Sequence, residues 1–411
     1  MALYAFDGTW NENEPELEEA TNVVKCRDIY GGPVEYREGV GTRFGVVGRV
    51  LGGLFGVGGR SRIEELYDAL RENWQHGDHV VDIIGFSRGA ALAVHFANIL
   101  AKEGVHVGDE QVHPEIRFLG LWDIVGSFGI PVDFIIHFQE INLGWTIDRI
   151  PATVQNCFHA MALDERRDTF EITRPTVEGS QTRFEELWFK GVHSDVGGGN
   201  RNVARSNIAL HWMLECARDC GLPIREEYLD IILADTDRLA SISENLDPIR
   251  DPRREVRPTD RYHPTSIPQQ LAPGETATFP VRAANLFNWS GVRLQEGAAY
   301  RFDIGPTQRW QDGSINCGPD GWRTEDLPWH KEAIVSWFED KRRVPEANWF
   351  ALIGSLGDEG DGEAYFHIGS GGPDRIYRAS RDGDLYAFAN DLTTRYDNNE
   401  GQIEVSITRE R

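Results

Sequence analysis

Cysteine is scarce in this chain, and basic residues are outnumbered by acidic ones. The five cysteines are odd in number and widely spaced, which excludes the disulfide framework of a small secreted domain. Lys and Arg together number 42 against 66 Asp and Glu, giving a formal net charge of −24. That charge argues against a nucleic-acid partner and against simple electrostatic docking to anionic membranes.

Long apolar runs are also missing. No uncharged stretch reaches the roughly 18 apolar residues of a membrane-spanning helix, so none is predicted. The first residues lack the charged and apolar regions of a signal peptide, and the pattern already indicates a strand by Leu3. We therefore expect the chain to be made and folded in the cytoplasm. Its 411 residues, 40% of them hydrophobic, predict two globular domains.

The motif around which the chain is organised is Gly85-Phe86-Ser87-Arg88-Gly89-Ala90. The β-branched run 79–84 before it predicts a buried strand, and the Ala- and Leu-rich run 90–101 after it predicts a helix. A Gly-x-Ser-x-Gly turn between a strand and a helix is typical of a nucleophile elbow, which exposes the serine hydroxyl beside backbone N–H groups. The alternative is a Gly-Ser turn that only joins two elements.

Two later residues complete a candidate catalytic triad. Residues 116–122 have a strand pattern that ends at Asp123, and acidic residues at the carboxyl ends of parallel strands face the ligand crevice. Residues 185–192 have a second such pattern, which ends at His193 before a glycine-rich loop. The order Ser87, Asp123, His193 is the hydrolase order of nucleophile, acid and base. Taken singly, the aspartate could cap a turn and the histidine could be structural.

The first predicted strand, 3–6, continues into Asp7-Gly8-Thr9-Trp10-Asn11. A glycine-containing loop after an early strand is where an α/β hydrolase keeps its second oxyanion donor. The N–H of Gly8 or Thr9 is therefore a candidate, together with that of Arg88. The alternative is an ordinary polar turn. His95, inside the predicted helix after Ser87, and His159, before an apolar helix start, are interpreted as structural.

Several segments around these motifs have two interpretations. The glycine-rich segment 44–59 is either a flap that meets an apolar substrate or a loop packed on the core. The apolar segment 128–138 either walls an acyl pocket or belongs to the core. Residues 61–74, 207–220 and 226–243 predict helices.

From residue 245 the composition changes. Residues 245–274 are rich in Pro, Arg, Asp and Gln without periodicity, which predicts a linker or wrapping loop. From residue 276 to 411, short aromatic and β-branched runs alternate with turns, which predicts an all-β sandwich. These runs are 278–281, 299–304, 349–353, 365–368, 385–389 and 402–408. The loop 390–401 gathers carboxylate and amide oxygens, which are ligands that calcium takes, although such residues also cap turns.

Six motifs in order give the N-terminal part a family resemblance. They are Asp7-Gly8-Thr9-Trp10-Asn11, Gly39-Val40-Gly41-Thr42, Gly85-Phe86-Ser87-Arg88-Gly89-Ala90, Trp122-Asp123-Ile124-Val125-Gly126-Ser127, Asp164-Glu165-Arg166-Arg167 and Gly191-Val192-His193-Ser194-Asp195-Val196-Gly197-Gly198-Gly199. Residues 1–270 thereby resemble the bacterial α/β-hydrolase family that includes the phospholipase effectors of type VI secretion.

This resemblance implies a parallel sheet with helices on both faces, followed here by the β-sandwich. It implies Ser87 as nucleophile, His193 as base and Asp123 as its partner in an ester hydrolase, with phospholipids as the best-known substrate class. It also implies a secretion-apparatus or immunity partner and export through a type VI system.

The C-terminal part is similar to the PA-I type of calcium-dependent galactophilic lectin. The matching residues are Gly305-Pro306-Thr307-Gln308-Arg309-Trp310, Ala351-Leu352-Ile353-Gly354, Ile368-Gly369 and the loop 390–401. The similarity implies a galactose-like glycan and calcium held by the side chains of Asp391, Asn398 and Asn399 with the carbonyls of Ile304 and Arg395. Ile304 stands where the lectin has tyrosine and Arg395 where it has threonine, changes that a carbonyl ligand tolerates. The lectin's histidine-containing sugar loop has no counterpart within 311–329.

The expected activity is therefore a two-step acyl transfer through Ser87, with the β-domain bringing the enzyme to a glycan-bearing or membrane surface. Two alternatives remain. One is a carbohydrate esterase that removes acyl groups from polysaccharide. The other is a non-catalytic, calcium-dependent sugar-binding protein.

Overall fold

The computed structural model describes residues 1–8, 20–38, 57–126, 145–243, 253–359 and 362–411. Several predicted features lie outside these residues, namely Thr9, the motif 39–42, most of the segment 44–59 and the apolar segment 128–138. The chain divides into two compact units, Met1–Ser243 with Asp251–Pro264, and Glu244–Arg250 with Thr265–Arg411. Each unit is described in turn.

The first unit is built on a parallel sheet. Six strands lie in the order β2-β1-β3-β6-β8-β10, and every neighbouring pair is parallel. The central strands are buried along almost their whole length, as expected for strands covered on both faces. The strands of this unit are β1 (Ala2–Phe6), β2 (Val34–Arg37), β3 (Val81–Phe86), β4 (Val105–Val107), β5 (Glu110–Val112), β6 (Ile116–Trp122), β7 (Arg149–Ile150), β8 (Asn156–Ala162), β9 (Thr176–Val177) and β10 (Arg183–Phe189).

Helices cover both faces of this sheet. They are α1 (Asn22–Ile29), α2 (Val57–Gln75), α3 (Arg88–Glu103), α4 (His193–Gly197), α5 (Val203–Asp219) and α6 (Glu227–Ala234). Because side chains alternate along a strand, Leu3 and Ala5 of β1 pack in one core cluster with α1 and α5. Tyr4 and Phe6 pack in the other with α2 and α3. The predicted α/β fold with helices on both faces is confirmed.

The strand order places the carboxyl end of β3 at the point where the winding reverses. In open α/β sheets, ligands bind at such a switch point, between strands whose connections leave in opposite directions. Here that point lies between β1 and β3, where Phe6 is beside Gly85. On the other side of β3, Phe86 is beside Trp122 of β6. Ser87 and the residues that follow β1 and β6 therefore emerge at one edge of the sheet.

The second unit consists of antiparallel sheets, as predicted. One sheet has the strand order β11-β21-β13-β18 and another the order β12-β19-β16-β17. Phe302 of the first sheet contacts Phe366 of the second, with ring centroids 5.8 Å apart. A three-stranded sheet, β15-β14-β20, and helix α7 (Trp329–Val335) accompany them. The strands are β11 (Thr276–Arg282), β12 (Asn288–Leu294), β13 (Ala299–Ile304), β14 (Trp310–Asp312), β15 (Ile315–Cys317), β16 (Leu352–Leu356), β17 (Tyr365–His367), β18 (Gly371–Arg378), β19 (Gly383–Ala389), β20 (Asn399–Glu400) and β21 (Gln402–Arg409).

Three local predictions need correction. His159 lies inside strand β8 and not before a helix. The helix expected over 226–243 ends at Ala234, because the Asp237 carboxylate accepts from the Leu239 N–H (2.7 Å) and forms a local turn instead. Strands β12 and β18 escaped prediction, since glycines within or at the start of each resemble turn signals.

No helix in the ranges given above is long and apolar enough to cross a bilayer. All five cysteines are free thiols, and four of them are buried.

Candidate active site

Ser87 occupies a strained turn between β3 and α3. Its φ is +59° and its ψ −126°, a conformation that costs a residue with a side chain about 1–3 kcal/mol. The backbone is held there because the Ser87 N–H donates to the Trp122 carbonyl (2.9 Å) and the Ser87 carbonyl accepts from the Val125 N–H (3.3 Å). A Cβ on Gly89 would collide with the Phe6 carbonyl, so this close approach requires glycine. The motif therefore folds as the elbow that its sequence predicts.

Asp123 follows β6 at the same edge and is fully buried. Its φ of +43° is also left-handed, so its backbone is held in a strained conformation. The Asp123 Oδ1 accepts from the Ala162 N–H at 2.8 Å. Its Oδ2 lies 2.6 Å from His193 Nδ1. The structure thus brings the predicted acid and the predicted base into direct contact, 70 residues apart in sequence.

His193 begins α4, and aromatic rings hold its imidazole. Phe86 stacks against it with centroids 4.6 Å apart, and Phe170 meets it edge-on at 4.8 Å. Because Phe86 immediately precedes Ser87, this stacking keeps the imidazole next to the elbow. Among the described residues, the Ser87 hydroxyl and the imidazole share no direct hydrogen bond. Catalytic hydrogen bonds in ligand-free sites are often longer than in the substrate complex.

An acidic pair fixes the loop that carries His193. Asp164 accepts from the Lys190 ammonium and from the Gly191 N–H, both at 2.7 Å. Glu165 accepts from the His193 N–H at 3.1 Å and also forms an ion pair with Arg167. In the sequence these residues appeared only as one of the family motifs. The structure assigns them to the support of the histidine backbone.

The predicted oxyanion donors have different surroundings. The Arg88 N–H belongs to the first turn of α3, where helix N–H groups have no intrahelical acceptor. Gly8 lies beside the elbow, since a Cβ on it would stand 3.4 Å from the Ser87 Cβ. The Gly8 N–H, however, donates to the Asp7 Oδ1 at 2.7 Å. In this conformation the Gly8 N–H is engaged, and Thr9 lies outside the described residues.

Sequence reasoning missed one charged group in this site, Arg254. Its Nη1 donates to Asp123 Oδ1 at 2.6 Å and its Nη2 to Asp123 Oδ2 at 3.0 Å. Arg254 comes from the segment 245–274, whose composition predicts a linker. Neither periodicity nor a motif distinguishes Arg254 from the other arginines of that segment, so no local signal could have identified it.

These charges set the protonation states of the site. Burial opposes ionisation of Asp123, but Arg254 and the hydrogen bond from His193 outweigh it, so the pKa of Asp123 is lowered far below its usual range. Burial lowers the pKa of His193, and this outweighs the opposing effect of Asp123. At neutral pH we therefore expect an ionised Asp123 beside a neutral His193. Those are the forms that a general base and its orienting acid need.

The predicted calcium ligands lie in the second unit. Asp391 and Asn399 meet, with Asn399 Nδ2 donating to Asp391 Oδ2 at 3.1 Å. Asn398 instead donates to the Asp312 carboxylate at 3.0 Å. Asp312 was not among the ligands that the sequence predicted. Ile304 ends β13 and Arg395 precedes a short 3-10 helix, Tyr396–Asn398.

Two of these donors, Asp391 and Asn399, have features that suit a hard cation. Asn399 Oδ1 is buried and has no hydrogen-bond partner among the described residues. Burial, with a contribution from Asp312, raises the pKa of Asp391 to about 6 and outweighs the hydrogen bonds from Leu392 and Asn399 and the charge of Arg395. No cluster of three His, Cys, Asp or Glu side chains suited to a metal occurs in the described part of the chain. Any cation at Asp391 would therefore depend on amide and carbonyl oxygens as well.

Comparison with known proteins adds a family. The family described as "T6SS, Phospholipase effector Tle1-like, catalytic domain" matches residues 3–114 and 105–216, together just over half of the 411-residue chain. No curated protein matches.

Solved structures show weaker likeness. An uncharacterized protein from Pseudomonas aeruginosa is 23% identical with a TM-score of 0.36, and the match covers 59% of this chain and 48% of that one. This chain thus spans about half the length of that protein. The Tle1 effector bound to the VgrG spike of the type 6 secretion system is 15% identical (TM-score 0.37; 97% of this chain, 70% of that one). The N-terminal domain of EclA, a PllA-like lectin, is 21% identical (TM-score 0.23; 33% of this chain, 96% of that one). Through residues 3–216, the chain belongs to the family of Tle1-like phospholipase effectors of type VI secretion.

Proposed function

We propose that the first unit is a serine hydrolase that cleaves carboxyl esters of phospholipids. The observation that carries this proposal is the 2.6 Å contact between Asp123 and His193 at the sheet edge where the strained Ser87 emerges. A neutral imidazole oriented by a buried carboxylate is suited to accept the proton of a serine hydroxyl. Membership of a phospholipase effector family supports lipid as the substrate class.

The proposed reaction has two steps. His193 Nε2 accepts the proton of Ser87 while Oγ bonds to the ester carbonyl carbon, and the oxyanion accepts a hydrogen bond from the Arg88 N–H. The carbon–oxygen bond to the alcohol then breaks, and His193 returns the proton to that alcohol. Water next attacks the acyl-enzyme with His193 again as base, which releases the acid and restores Ser87.

A second oxyanion donor comes from Gly8 or Thr9 in this proposal. For Gly8, the N–H must leave the Asp7 carboxylate before it can donate to the oxyanion. Removing one oxyanion donor from a serine hydrolase typically costs about 3 kcal/mol of transition-state stabilisation.

Substrate class can be tested by a panel. We expect fatty-acid release from phosphatidylcholine vesicles to exceed acyl release from acetylated polysaccharide by about 100-fold or more, since each extra interaction realised in the transition state multiplies the rate. The rate on vesicles that contain anionic lipid should be compared with the rate on phosphatidylcholine vesicles, because the chain's charge of −24 opposes unaided binding to anionic lipid. Titration of released acid measures both substrates. Faster deacylation of the polysaccharide would contradict the phospholipase proposal in favour of a carbohydrate esterase.

The same family supports a proposal about partners and location. The Tle1 effector is known bound to a VgrG spike, and we propose that this chain is likewise made in the cytoplasm and exported on a type VI secretion apparatus. An immunity protein that blocks the hydrolase belongs to the same proposal. A nucleic-acid partner does not, given the net charge of −24.

For the second unit we propose calcium-dependent binding of a galactose-like glycan. The residues that would hold the ion are Asp391, Asn398 and Asn399 through side chains, with the carbonyls of Ile304 and Arg395. The buried Asn399 Oδ1, which has no hydrogen-bond partner in the described ranges, supports this proposal, because a cation would supply the interaction it lacks. In such a site the ion would supply positive charge to coordinate sugar hydroxyls.

Calcium is expected to stabilise the second unit. Excess calcium at about 100 times its dissociation constant adds about 2.7 kcal/mol to the free energy of unfolding, and Asp391→Asn should abolish this gain. Because the pKa of Asp391 is raised to about 6, protons compete for the site and calcium affinity should fall as the pH drops below that value. Thermal unfolding with calcium or with EDTA measures the effect.

Asp397→Asn is the matched control for this experiment. It removes the same charge from an exposed position of the same loop. Equal calcium responses in the two variants would show that Asp391 does not hold the ion.

A further inference from the structure

Arg254 makes four hydrogen bonds around the triad acid. Besides its paired contacts with Asp123, Nη1 donates to the Ala162 carbonyl at 2.8 Å and Nη2 to the Phe170 carbonyl at 2.6 Å. Only 7% of the Arg254 side chain is exposed, and Asp123 is fully buried. The guanidinium therefore joins the carboxylate to the carbonyls of two chain segments, one of which also meets the His193 ring through Phe170.

The segment that carries Arg254 is anchored independently. Arg261 and His263 continue the sheet beside β10, where the Trp188 N–H donates to the Arg261 carbonyl (3.0 Å) and the Trp188 carbonyl accepts from the His263 N–H (2.9 Å). Asp260 accepts two hydrogen bonds from Arg174, at 2.8 and 2.9 Å. These contacts fix the backbone between Arg254 and the sheet. We name residues 253–264 the strap.

The strap also reaches the Asp123 loop by a second route. Arg174 bridges Asp260 and Glu186, and Glu186 contacts His159 Nδ1 at 3.0 Å. His159 Nε2 in turn accepts from the N–H of Ile124, the residue after Asp123 (3.3 Å). The histidine that sequence reasoning interpreted as structural thus belongs to a buried polar chain between the strap and the Asp123 loop.

Arg254 contacts the same carboxylate that contacts the imidazole. A triad aspartate orients the imidazole and stabilises it once protonated. Here Asp123 Oδ2 is shared between His193 Nδ1 and Arg254 Nη2. The guanidinium therefore orients the carboxylate through a bidentate contact and also offsets the charge that would favour protonated His193.

We infer that Arg254 is a positioning residue of the hydrolytic site, which locks the Asp123 carboxylate and sets the pH at which His193 becomes available as a base. This inference rests on the proposed function. It extends that function by assigning a catalytic influence to the strap, which lies beyond the residues 3–216 matched by the family.

The sign of the effect follows from the charges that face His193. Burial and Arg254 lower the pKa of His193, while Asp123 and Glu165 raise it. Removing the guanidinium leaves burial as the opposing effect on the two carboxylates, so the pKa of His193 should rise. Because only neutral imidazole accepts the serine proton, the acid limb of the pH–rate profile moves to higher pH.

The test compares Arg254→Gln with Arg117→Gln. Arg117 makes a similar bidentate contact with fully buried Asp82, at 2.9 and 2.5 Å, at the opposite end of the sheet. We expect kcat/KM of Arg254→Gln for p-nitrophenyl butyrate to fall on the alkaline plateau, because the Asp123 carboxylate loses its bidentate partner, and to fall about tenfold further on the acid limb. Arg117→Gln should leave the acid limb where it is. A uniform loss across pH in Arg254→Gln would overturn the inference.

Arg254→Lys separates charge from geometry. Lysine keeps the charge but lacks the planar fork, so the acid limb should stay in place while kcat falls. An unchanged kcat would overturn the positioning role, and this outcome is available even if Arg254→Gln does not fold.

An NMR titration of His193, assigned by loss of its signal in His193→Gln, needs no substrate. The pKa of His193 could rise in Arg254→Gln while the parent cleaves no ester. That combination would reject the proposed function but keep the electrostatic role of Arg254. If the pKa of His193 is the same in Arg254→Gln as in the parent, the inference is rejected, whether or not the parent cleaves esters.

Discussion

Ser87→Ala is expected to abolish ester cleavage. The loss in kcat for p-nitrophenyl butyrate should be about 10⁴-fold or more, because no other group can form the acyl-enzyme. The fold should survive. Alanine at φ +59° is strained much as serine is, and no hydrogen bond of the hydroxyl is lost among the described residues. Hydrolysis assays with matched thermal unfolding curves measure the two effects separately.

Ser194→Ala is the control for this variant, since it makes the same chemical change next to His193. The Ser194 hydroxyl accepts from Asn200 Nδ2 (3.2 Å) and has no role in the proposed reaction. A fluorophosphonate should label the parent and Ser194→Ala but not Ser87→Ala, as intact-protein mass will report. Undiminished turnover in Ser87→Ala would reject the serine hydrolase outright.

Asp123→Asn has the second-largest expected effect, about 10³- to 10⁴-fold in kcat. An amide nitrogen at the Oδ2 position would face His193 Nδ1 and force the imidazole into the tautomer with a proton on Nε2, which cannot accept from Ser87. At the Oδ1 position it would face the N–H groups of Arg254 and Ala162. Neither orientation reproduces the network of the carboxylate.

This substitution should also destabilise the fold, by about 3–5 kcal/mol, because it leaves the buried Arg254 without its counter-charge. The sign of the pH dependence follows from the lowered pKa of Asp123. The ionised Asp123 carboxylate contributes to the free energy of unfolding above its pKa in the unfolded chain, about 3.9. This contribution is lost as the pH falls toward the pKa of Asp123 in the folded protein. Urea unfolding should therefore show a large difference in the free energy of unfolding between the parent and Asp123→Asn at pH 7, and a smaller difference below pH 4.

Asp82→Asn provides the comparison for stability. It breaks another ion pair between a fully buried aspartate and an arginine in the same sheet, at the opposite end of β3 from Ser87. We expect a similar loss of stability with kcat close to that of the parent. If both variants lose activity alike, the effect of Asp123→Asn is one of folding and the orienting role is wrong.

Local pattern was sufficient for much of the first unit. β6 was predicted at its observed bounds, and the elbow motif predicted both the strand before Ser87 and the helix after it. The hydrophobic period and the placement of glycines are local properties, so they can be identified in the sequence without knowledge of the contacts in the folded protein. The same reasoning was wrong for His159, because a short apolar run that contains a histidine suits a buried strand and a helix equally well.

In the second unit, alternation predicted β13 at its observed bounds but not β12 or β18. β12 contains Gly291 with φ +71°, and its pairing with β19 shifts register between Trp289 and Arg293. A bulged strand breaks the period of two on which strand prediction depends. Pairing partners, which are distant in sequence, decided that these segments are strands.

The order of residues along the chain sufficed to nominate Ser87, Asp123 and His193, because strand ends and glycine turns are visible in the sequence. The contact between Asp123 and His193 was decided by the parallel register, which brings strand ends to a common edge of the sheet, where Ser87 also emerges. The contact of Arg254 with Asp123 was decided by tertiary structure alone. An ion pair across 131 residues depends on where the strap is anchored, and nothing in the residues next to Arg254 specifies that position.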